Sequence, residues 1–566
     1  MLQQPERNRS GGQILVDQLL VHGAEIAFCV PGESYLEVLD ALHDVRDKIT
    51  LINARHEAGA ANMAEAYGKL TGRPGICLVT RGPGACHAAV GVHTAFQDST
   101  PMILLVGQVG RDATDREAFQ EIDYRQMFGS VAKWVAQIEQ TERIPEYLAR
   151  AYHLATSGRP GPVVLALPED MLKERAAVND AARYTTVQPR MAGSELGALR
   201  DLLVKAERPL LLVGGSGWPD EACAQILRFA EASQLPVACS FRRQDVFDNR
   251  SSCFVGDFGT SGPPSLIRRA KEADLIVVVG ARLGEMTTQG YSLVNAPVPV
   301  QRLVHIHPSA DEIGRVYAPH LAIAASTQSF AALAAHMEPV ASARWHSWRE
   351  TLRREFEEAI NPPKYDGALD IAQVLAELRD ELPEDVIITL DAGNHTGWPQ
   401  RYLTYRRPSR QIGPTSGAMG YSVPAAVAAS LIYPDRLVIG CVGDGGFMMS
   451  GQEIQTAVQH GGKPIIVVFN NEMYGTIRMH QEREHPGRVV GTDLINPDFV
   501  AFAAAMGAHA ERVECSADFH PALKRARASG RAAVIELRAD PEQVSTRATL
   551  AQLRRAARKH LESEKA

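Results

Sequence analysis

The stretch from Gly443 to Asn471, GDGGFMMSGQEIQTAVQHGGKPIIVVFNN, compresses a strand end, a glycine turn, a helix and a second strand into one unit. The apolar run Leu437–Val442 ends at Gly443-Asp444-Gly445, where glycines let the backbone approach a phosphate. A helix is expected to begin near Gly451–Glu453 and to offer free amides and a positive dipole end to an anion. The run Pro464–Phe469 then delivers Asn470-Asn471 at the carboxyl end of a strand, where ligands of open α/β sheets bind. Asp444 and Asn471 are hard oxygen ligands, and a backbone carbonyl shortly after Asn471 would be a third. Two diphosphate oxygens and a water would complete the near-octahedral shell of Mg2+. GDG alone is an ordinary turn and NN alone a strand-end cap. Their spacing, with apolar strands on both sides, favours the ligand reading.

The same texture extends through the chain. Ile76–Thr80 leads into Arg81-Gly82-Pro83-Gly84-Ala85, and Leu210–Val213 into Gly214-Gly215-Ser216-Gly217. Strands that are apolar throughout are buried on both faces, so the fold class is α/β, with doubly wound parallel sheets covered by helices. Two stretches interrupt it: Ala176–Ser194, small and polar, and Arg344–Gly367, where a charged helical segment (Trp345 to Ala359) runs into Asn361-Pro362-Pro363-Lys364. They predict three domains, at 1–185, 190–340 and 365–545, and a basic tail at 546–566.

The 566 residues are 45% hydrophobic and 22% charged, a balance that excludes disorder, collagen and fibre. A net charge of −7 advertises neither nucleic acid nor an anionic membrane as a partner. The longest apolar runs, such as Leu275–Ala281, fall short of a bilayer span. The polar start from Met1 to Gly11 lacks a signal-peptide core, and eight cysteines without CxxC pairing read as buried thiols. A cytoplasmic protein is expected.

On these residues the third domain resembles the thiamin-diphosphate motif. Residues 10–550 as a whole resemble the acetolactate synthase, pyruvate oxidase and benzaldehyde lyase group of thiamin-diphosphate-dependent enzymes. The resemblance implies three domains of the thiamin-diphosphate-binding fold, with thiamin diphosphate and Mg2+ as cofactors. It makes Asp444, Asn471 and the carbonyl of Met473 the metal ligands. It makes Gly445, Gly446, Tyr474 and Gly475 cofactor contacts, together with Asn394 and His395 of Asp391-Ala392-Gly393-Asn394-His395. In Ser416-Gly417-Ala418-Met419-Gly420 the Gly417 carbonyl would accept a proton of the 4′-amino group, and Met419 would be the apolar wedge that bends the cofactor. Glu57, in Asn53-Ala54-Arg55-His56-Glu57-Ala58-Gly59-Ala60, falls in the first turn of a helix, where the dipole alone favours an acid. The resemblance instead makes it the carboxyl that hydrogen-bonds N1′ of the aminopyrimidine, a role that needs a proton to donate and so a raised pKa. It also implies that the site lies between the first domain of one chain and the third domain of another. That means a dimer at least, and a tetramer is expected.

Thr80 to Ala85 resembles the family's glycine-rich loop beside the reactive carbon, and Phe119-Gln120-Glu121 a segment lining the pocket, which makes Gln120 a candidate catalytic residue. The sequence also departs from the family. His480 follows Arg478 by two residues, where biosynthetic acetolactate synthases have a tryptophan. Glu33 follows Pro31-Gly32, where they have a small residue, and His87 stands where relatives have Asn. These groups would make the pocket more polar and proton-donating, with Glu33 and His480 as candidate catalytic residues. In the central domain Ala281-Arg282-Leu283-Gly284-Glu285-Met286 replaces the Arg-Phe-Asp-Asp-Arg stretch of the FAD-binding relatives, so FAD is not expected. His305-Ile306-His307 places two imidazoles on one strand face with no third metal ligand nearby. The tail carries Arg547, Arg554, Arg555, Arg558 and Lys559, with Leu550, Leu553 and Leu561 at helical spacing. It reads as an amphipathic helix docked on the body, the alternative being a lid or a contact to an acyl-CoA nucleotide.

The function implied is decarboxylation of a 2-oxo acid and transfer of the activated aldehyde to a carbonyl acceptor. The alternatives are a lyase acting on a 2-hydroxyacyl-CoA or a diketone, and a non-catalytic regulatory relative. The last should have lost Glu57 or a metal ligand, and all are present. The expected partners are small 2-oxo acid or carbonyl substrates and further copies of the chain, with neither nucleic acid nor membrane.

Overall fold

The computed structural model describes residues 8–340 and 344–565; residues 1–7 of the polar start lie outside them. Three six-stranded sheets carry the fold, and every neighbouring pair within them is parallel. The chain divides into two compact units, residues 1–188 with 427–432, and 189–426 with 433–566.

In the first unit, β1 (Asn8–Ser10) pairs antiparallel with β8 (Arg175–Ala177). The sheet is built from β2 (Ile26–Cys29), β3 (Thr50–Asn53), β4 (Gly75–Val79), β5 (Met102–Gln108), β6 (Trp134–Gln137) and β7 (Pro162–Pro168), in the order β3-β2-β4-β5-β7-β6. Helices α1 (Glu57–Thr71) and α2 (Pro83–Asp98) follow β3 and β4. They pack so closely that a methyl group on Gly91 would sit 2.4 Å from the Ala61 Cβ. The small residues of both helices permit that approach.

The second unit holds two sheets. The central one contains β9 (Pro209–Val213), β10 (Val237–Cys239), β11 (Phe254–Asp257), β12 (Leu275–Val279), β13 (Arg302–His307) and β14 (Leu321–Ala324), in the order β11-β10-β9-β12-β13-β14. The other contains β15 (Ile387–Leu390), β16 (Arg410–Ile412), β17 (Val438–Gly443), β18 (Ile465–Asn470), β19 (His509–Val513) and β20 (Ala533–Arg538), in the order β16-β15-β17-β18-β20-β19. Every residue of β12 and β18 is buried, as continuous apolar runs in a covered parallel sheet must be. From β15 the chain passes to β16 on one side and to β17 on the other. The carboxyl ends of β15 and β17 therefore diverge at a switch point, where such sheets open a crevice.

The connection after β17 differs from expectation. A helix, α3 (Asp444–Ser450), begins at Asp444 itself, and α4 (Glu453–His460) follows after a break at Gly451-Gln452. Gly445 and Gly446 are thus in the first turn of this additional helix, and α4 is the helix expected near Gly451–Glu453. Gly443 is extended and no side chain caps the terminus, so the dipole end falls on Asp444 and its neighbours. Helix α5 (Gly475–Glu484) follows β18, and the tail forms α6 (Leu550–Lys565). Leu550 is buried with Met473 and Val544, and Leu553 packs against them, which docks α6 beside α5; Leu561 stays exposed. No helix among the described residues is long and apolar enough to cross a membrane. Six cysteines are buried, whereas Cys86 is exposed on α2 and Cys515 half-buried, contrary to the expectation of buried thiols throughout.

Candidate active site

At the switch point of the third sheet lies a cavity of about 260 Å³. Asn394, His395, Gly417 and Met419 line it from the loops after β15 and β16. Asp444, Gly445 and Gly446 line it from the start of α3, and Asn471, Met473, Tyr474 and Gly475 from the turn after β18. These residues come from three loops and one helix start, and the fold brings them to one place.

Each glycine on α3 is held there by what stands over it. A methyl group on Gly445 would lie 2.6 Å from the Tyr474 ring, and one on Gly446 would lie 2.7 Å from Asp391 Oδ1. Gly443 is similarly closed by the His395 ring, 2.9 Å from where its Cβ would be. Gly417 has a φ of +73°, the left-handed region that glycine tolerates, with nothing within 4 Å of an added Cβ.

The His395 Nε2 is buried and has no hydrogen-bond partner among the described residues, on a ring that is itself only half-buried. Burial, and then the nearby Arg242 cation, push its pKa down to about 3, so it stands as a neutral imidazole. An unpartnered buried ring nitrogen on a glycine-floored wall fits a polar group entering the cavity. Asp444 is buried as well. Its Oδ1 accepts the Gly445 amide at 2.8 Å and its Oδ2 the Asn496 side chain at 2.9 Å. Burial raises its pKa, opposed by these hydrogen bonds. A buried carboxylate, the Asn471 amide and the Met473 backbone are the hard oxygen donors that a small divalent cation takes.

The two asparagines divide their tasks. Asn470 donates to Glu536 at 2.6 Å and accepts from Asn496 at 2.9 Å, so it anchors the end of β18. Asn471 faces the cavity. Between Asn471 and Met473, Glu472 takes a φ of +56°, a sharp turn for a non-glycine residue.

Three residues that the sequence reading missed hold these loops. Asp391 accepts the amides of Ala392, Gly420 and Ser422 at 2.8–3.0 Å, joining the loop after β15 to the Gly417 loop. Arg242, from the central sheet, donates to the carbonyls of Asp391 and Pro414 at 2.6 Å each. Thr476 bonds the Asn394 amide and side chain at 3.0 Å. Asp391 and Thr476 lay inside or beside quoted motifs, whereas no sequence spacing points to Arg242. His480 is exposed on α5 and is not among the residues lining the cavity.

In the first unit Glu57 opens α1, and its Oε2 lies 2.8 Å from His87 Nδ1 on α2. Glu33 is largely exposed and forms an ion pair with Arg81 at 3.4 Å. Arg81 also reaches Glu169 at 3.3 Å and the Phe119 carbonyl at 3.2 Å. Gln120 has a φ of +67°, and its backbone packs over Gly82, which has no room for a side chain. In the central sheet, His305 Nε2 meets the Ala281 carbonyl and His307 Nδ1 the backbone of Ser309, each at 3.1 Å.

A glycine-floored cavity at the switch point of a parallel sheet, with buried oxygen donors at its mouth, is the build of a diphosphate-cofactor enzyme. Comparison with known families agrees. The N-terminal TPP binding domain of thiamine pyrophosphate enzymes matches residues 9–127, the central domain 196–334 and the C-terminal TPP binding domain 391–537. The acetolactate synthase isozyme 2 large subunit of Escherichia coli is 30% identical over 508 residues, covering 89% of this chain and 91% of that protein. The acetolactate synthase large subunits of Parasynechococcus marenigrum and Corynebacterium glutamicum are each 31% identical, over 88% and 92% of this chain and 82% and 85% of theirs. The chain belongs to the thiamine pyrophosphate enzymes, in the group of the acetolactate synthases.

Proposed function

We propose that the protein is a thiamin-diphosphate- and Mg2+-dependent decarboxylase and carboligase that takes a 2-oxo acid as donor and a carbonyl compound as acceptor. The observation that carries this reading is the cavity at the switch point, where Asp444, the α3 glycines and the unpartnered His395 nitrogen converge. Asp444, Asn471 and the Met473 carbonyl would hold Mg2+. Gly445, Gly446, Gly475, Asn394 and His395 would hold the diphosphate beside Tyr474. The Gly417 carbonyl would take the amino proton, Met419 would support the bend, and Glu57 would bind the pyrimidine nitrogen. Thiamin diphosphate, when bound, supplies a nucleophilic ring carbon and an electron sink for the charge released on decarboxylation. Gln120, Glu33 and His480 are proposed to border the substrate. No FAD is required.

The assembly proposed is a dimer at least, in a cytoplasmic setting. Its support is exposed apolar side chains on the two helices that border the cavity: Met448 and Met449 on α3 and Ile477 on α5 are each about half exposed. The test is to incubate the protein with cofactor, Mg2+ and a panel of 2-oxo acids, following carbon dioxide and products by mass spectrometry. Turnover of at least one donor is expected, and Glu57→Ala should lower it by about 100-fold or more. No release from any donor, or full activity in the variant, would refute the reading.

A further inference from the structure

Glu57 and His87 occupy matching places on two crossing helices. Ala61 and Gly91 mark the close approach of α1 and α2, and Glu57 and His87 each lie four residues before them, one turn toward the helix starts. The crossing therefore faces the carboxyl with the imidazole at 2.8 Å. Gly84, lacking a side chain, leaves Glu57 Oε1 uncovered: a methyl group there would stand 3.4 Å from it. The Glu57 side chain is 13% exposed and that of His87 50%.

His56 completes the cluster, its ring centre 4.5 Å from that of His87. The three offer ligand atoms within 4.8 Å of one another, a spacing that invites a metal ion. The chemistry of His56 argues against one. Its Nδ1 accepts the Ala58 amide at 3.1 Å and caps α1, which fixes its proton on Nε2. A metal on either nitrogen would take that cap from the helix. The same bond stops His56 from moving a proton, whereas His87 carries no such restraint at Nε2.

The geometry points to His87 as the positioning residue of Glu57, holding Oε2 so that Oε1 faces the cofactor and exchanging the proton of Glu57 with solvent. This rests on the role of Glu57 proposed above. When Oε1 gives its proton to the pyrimidine nitrogen, the carboxylate left behind is stabilised by the His87 Nδ1–H bond to Oε2. When Glu57 must be recharged, Nδ1–H passes to Oε2 while Nε2 takes a proton from solvent. The carboxyl then turns to present the protonated oxygen to the cofactor. The imidazole returns to its Nδ1-protonated form by giving the Nε2 proton to water and taking one back at Nδ1, so that one proton enters overall and none is lost.

Two measurements test it. In the protein without cofactor, long-range nitrogen–proton spectra should show His87 protonated at Nδ1, and Glu57→Ala should return it to the ordinary Nε2-protonated tautomer. In the loaded protein, His87→Phe should slow exchange of the cofactor's ring-carbon proton into heavy water by about tenfold or more, with cofactor affinity kept within about twofold, and added imidazole should restore the rate in His87→Ala. An unchanged tautomer in Glu57→Ala, or wild-type exchange in His87→Phe, would overturn the proposal. Absence of exchange in the wild type would overturn the cofactor reading itself. The tautomer measurement, made without cofactor, separates that failure from failure of the pair.

Discussion

Gly446 and Gly417 border the same cavity and differ in what a methyl group would meet. At Gly446 it would press on Asp391 Oδ1, a buried oxygen fixed by backbone amides, so neither partner can give way. Gly446→Ala should therefore cost about 1–3 kcal/mol as overpacking and loosen both loops that Asp391 joins. At Gly417 there is space, and only the positive φ is strained, so Gly417→Ala should cost about 1 kcal/mol. Thermal unfolding of the protein without cofactor measures both; equal losses would show that the loops yield. The residues that contact the cavity were legible because strand ends and glycines announce them locally. The ones that hold them were not. Arg242 reaches Asp391 from the loop after β10 of another sheet, and Asn496 reaches Asp444 from the long loop after α5, 52 residues away in sequence. Tertiary hydrogen bonds of this kind leave no period in a sequence.

At the scale of elements, the parallel strands were legible from continuous apolar runs, while the start of α3 was not. The alternation of glycine and polar residues after β17 suits a turn as well as a helix terminus, and only the fold's demand for a dipole end at Asp444 decides between them. The tail shows the reverse case, since its leucine spacing gave the helix and its docked face. One clasp holds it: Glu482 on α5, fully buried at its side chain, accepts Arg554 of α6 at 2.8 Å and the Gly487 amide at 2.9 Å, with Arg478 3.9 Å away. The Arg554 bond, chiefly, holds the Glu482 carboxyl below its ordinary pKa. A depressed carboxyl contributes stability above its unfolded pKa and loses it as pH falls through the folded one. Glu482→Gln should thus cost about 1–3 kcal/mol near neutrality. The gap to wild type should narrow as pH falls below about 4.5, where the unfolded carboxyl begins to bind its proton. Hydrogen exchange of the α6 amides follows the clasp directly. A gap that stays constant into acid would mean that the pair contributes packing and not charge.

At the scale of the whole molecule, three domains with a sheet each were legible, while the close packing of the second sheet's domain on the third was not. The composition break at Ala176–Ser194 coincides with a division into compact units, but the break at Arg344–Gly367 does not, because the central and third sheets share buried polar bonds. Gln244 bonds Gln411 at 3.0 Å, and Asp245 bonds Arg410 at 3.0 Å. The first unit carries Glu57 and the second carries Asp444, so the proposed assembly makes a prediction that neither unit makes alone. If each site joins Glu57 of one chain to Asp444 of another, Glu57→Ala and Asp444→Ala chains are both inactive by themselves. In a mixed dimer the two lesions fall together in one site and leave the other intact. Random pairing of equal amounts makes half the dimers mixed, each with one of its two sites whole, so co-expression should restore about a quarter of wild-type activity. Activity that stays at the background of the single variants, in chains shown by sedimentation to associate, would place Glu57 and Asp444 of the same chain in each site and reject the shared arrangement.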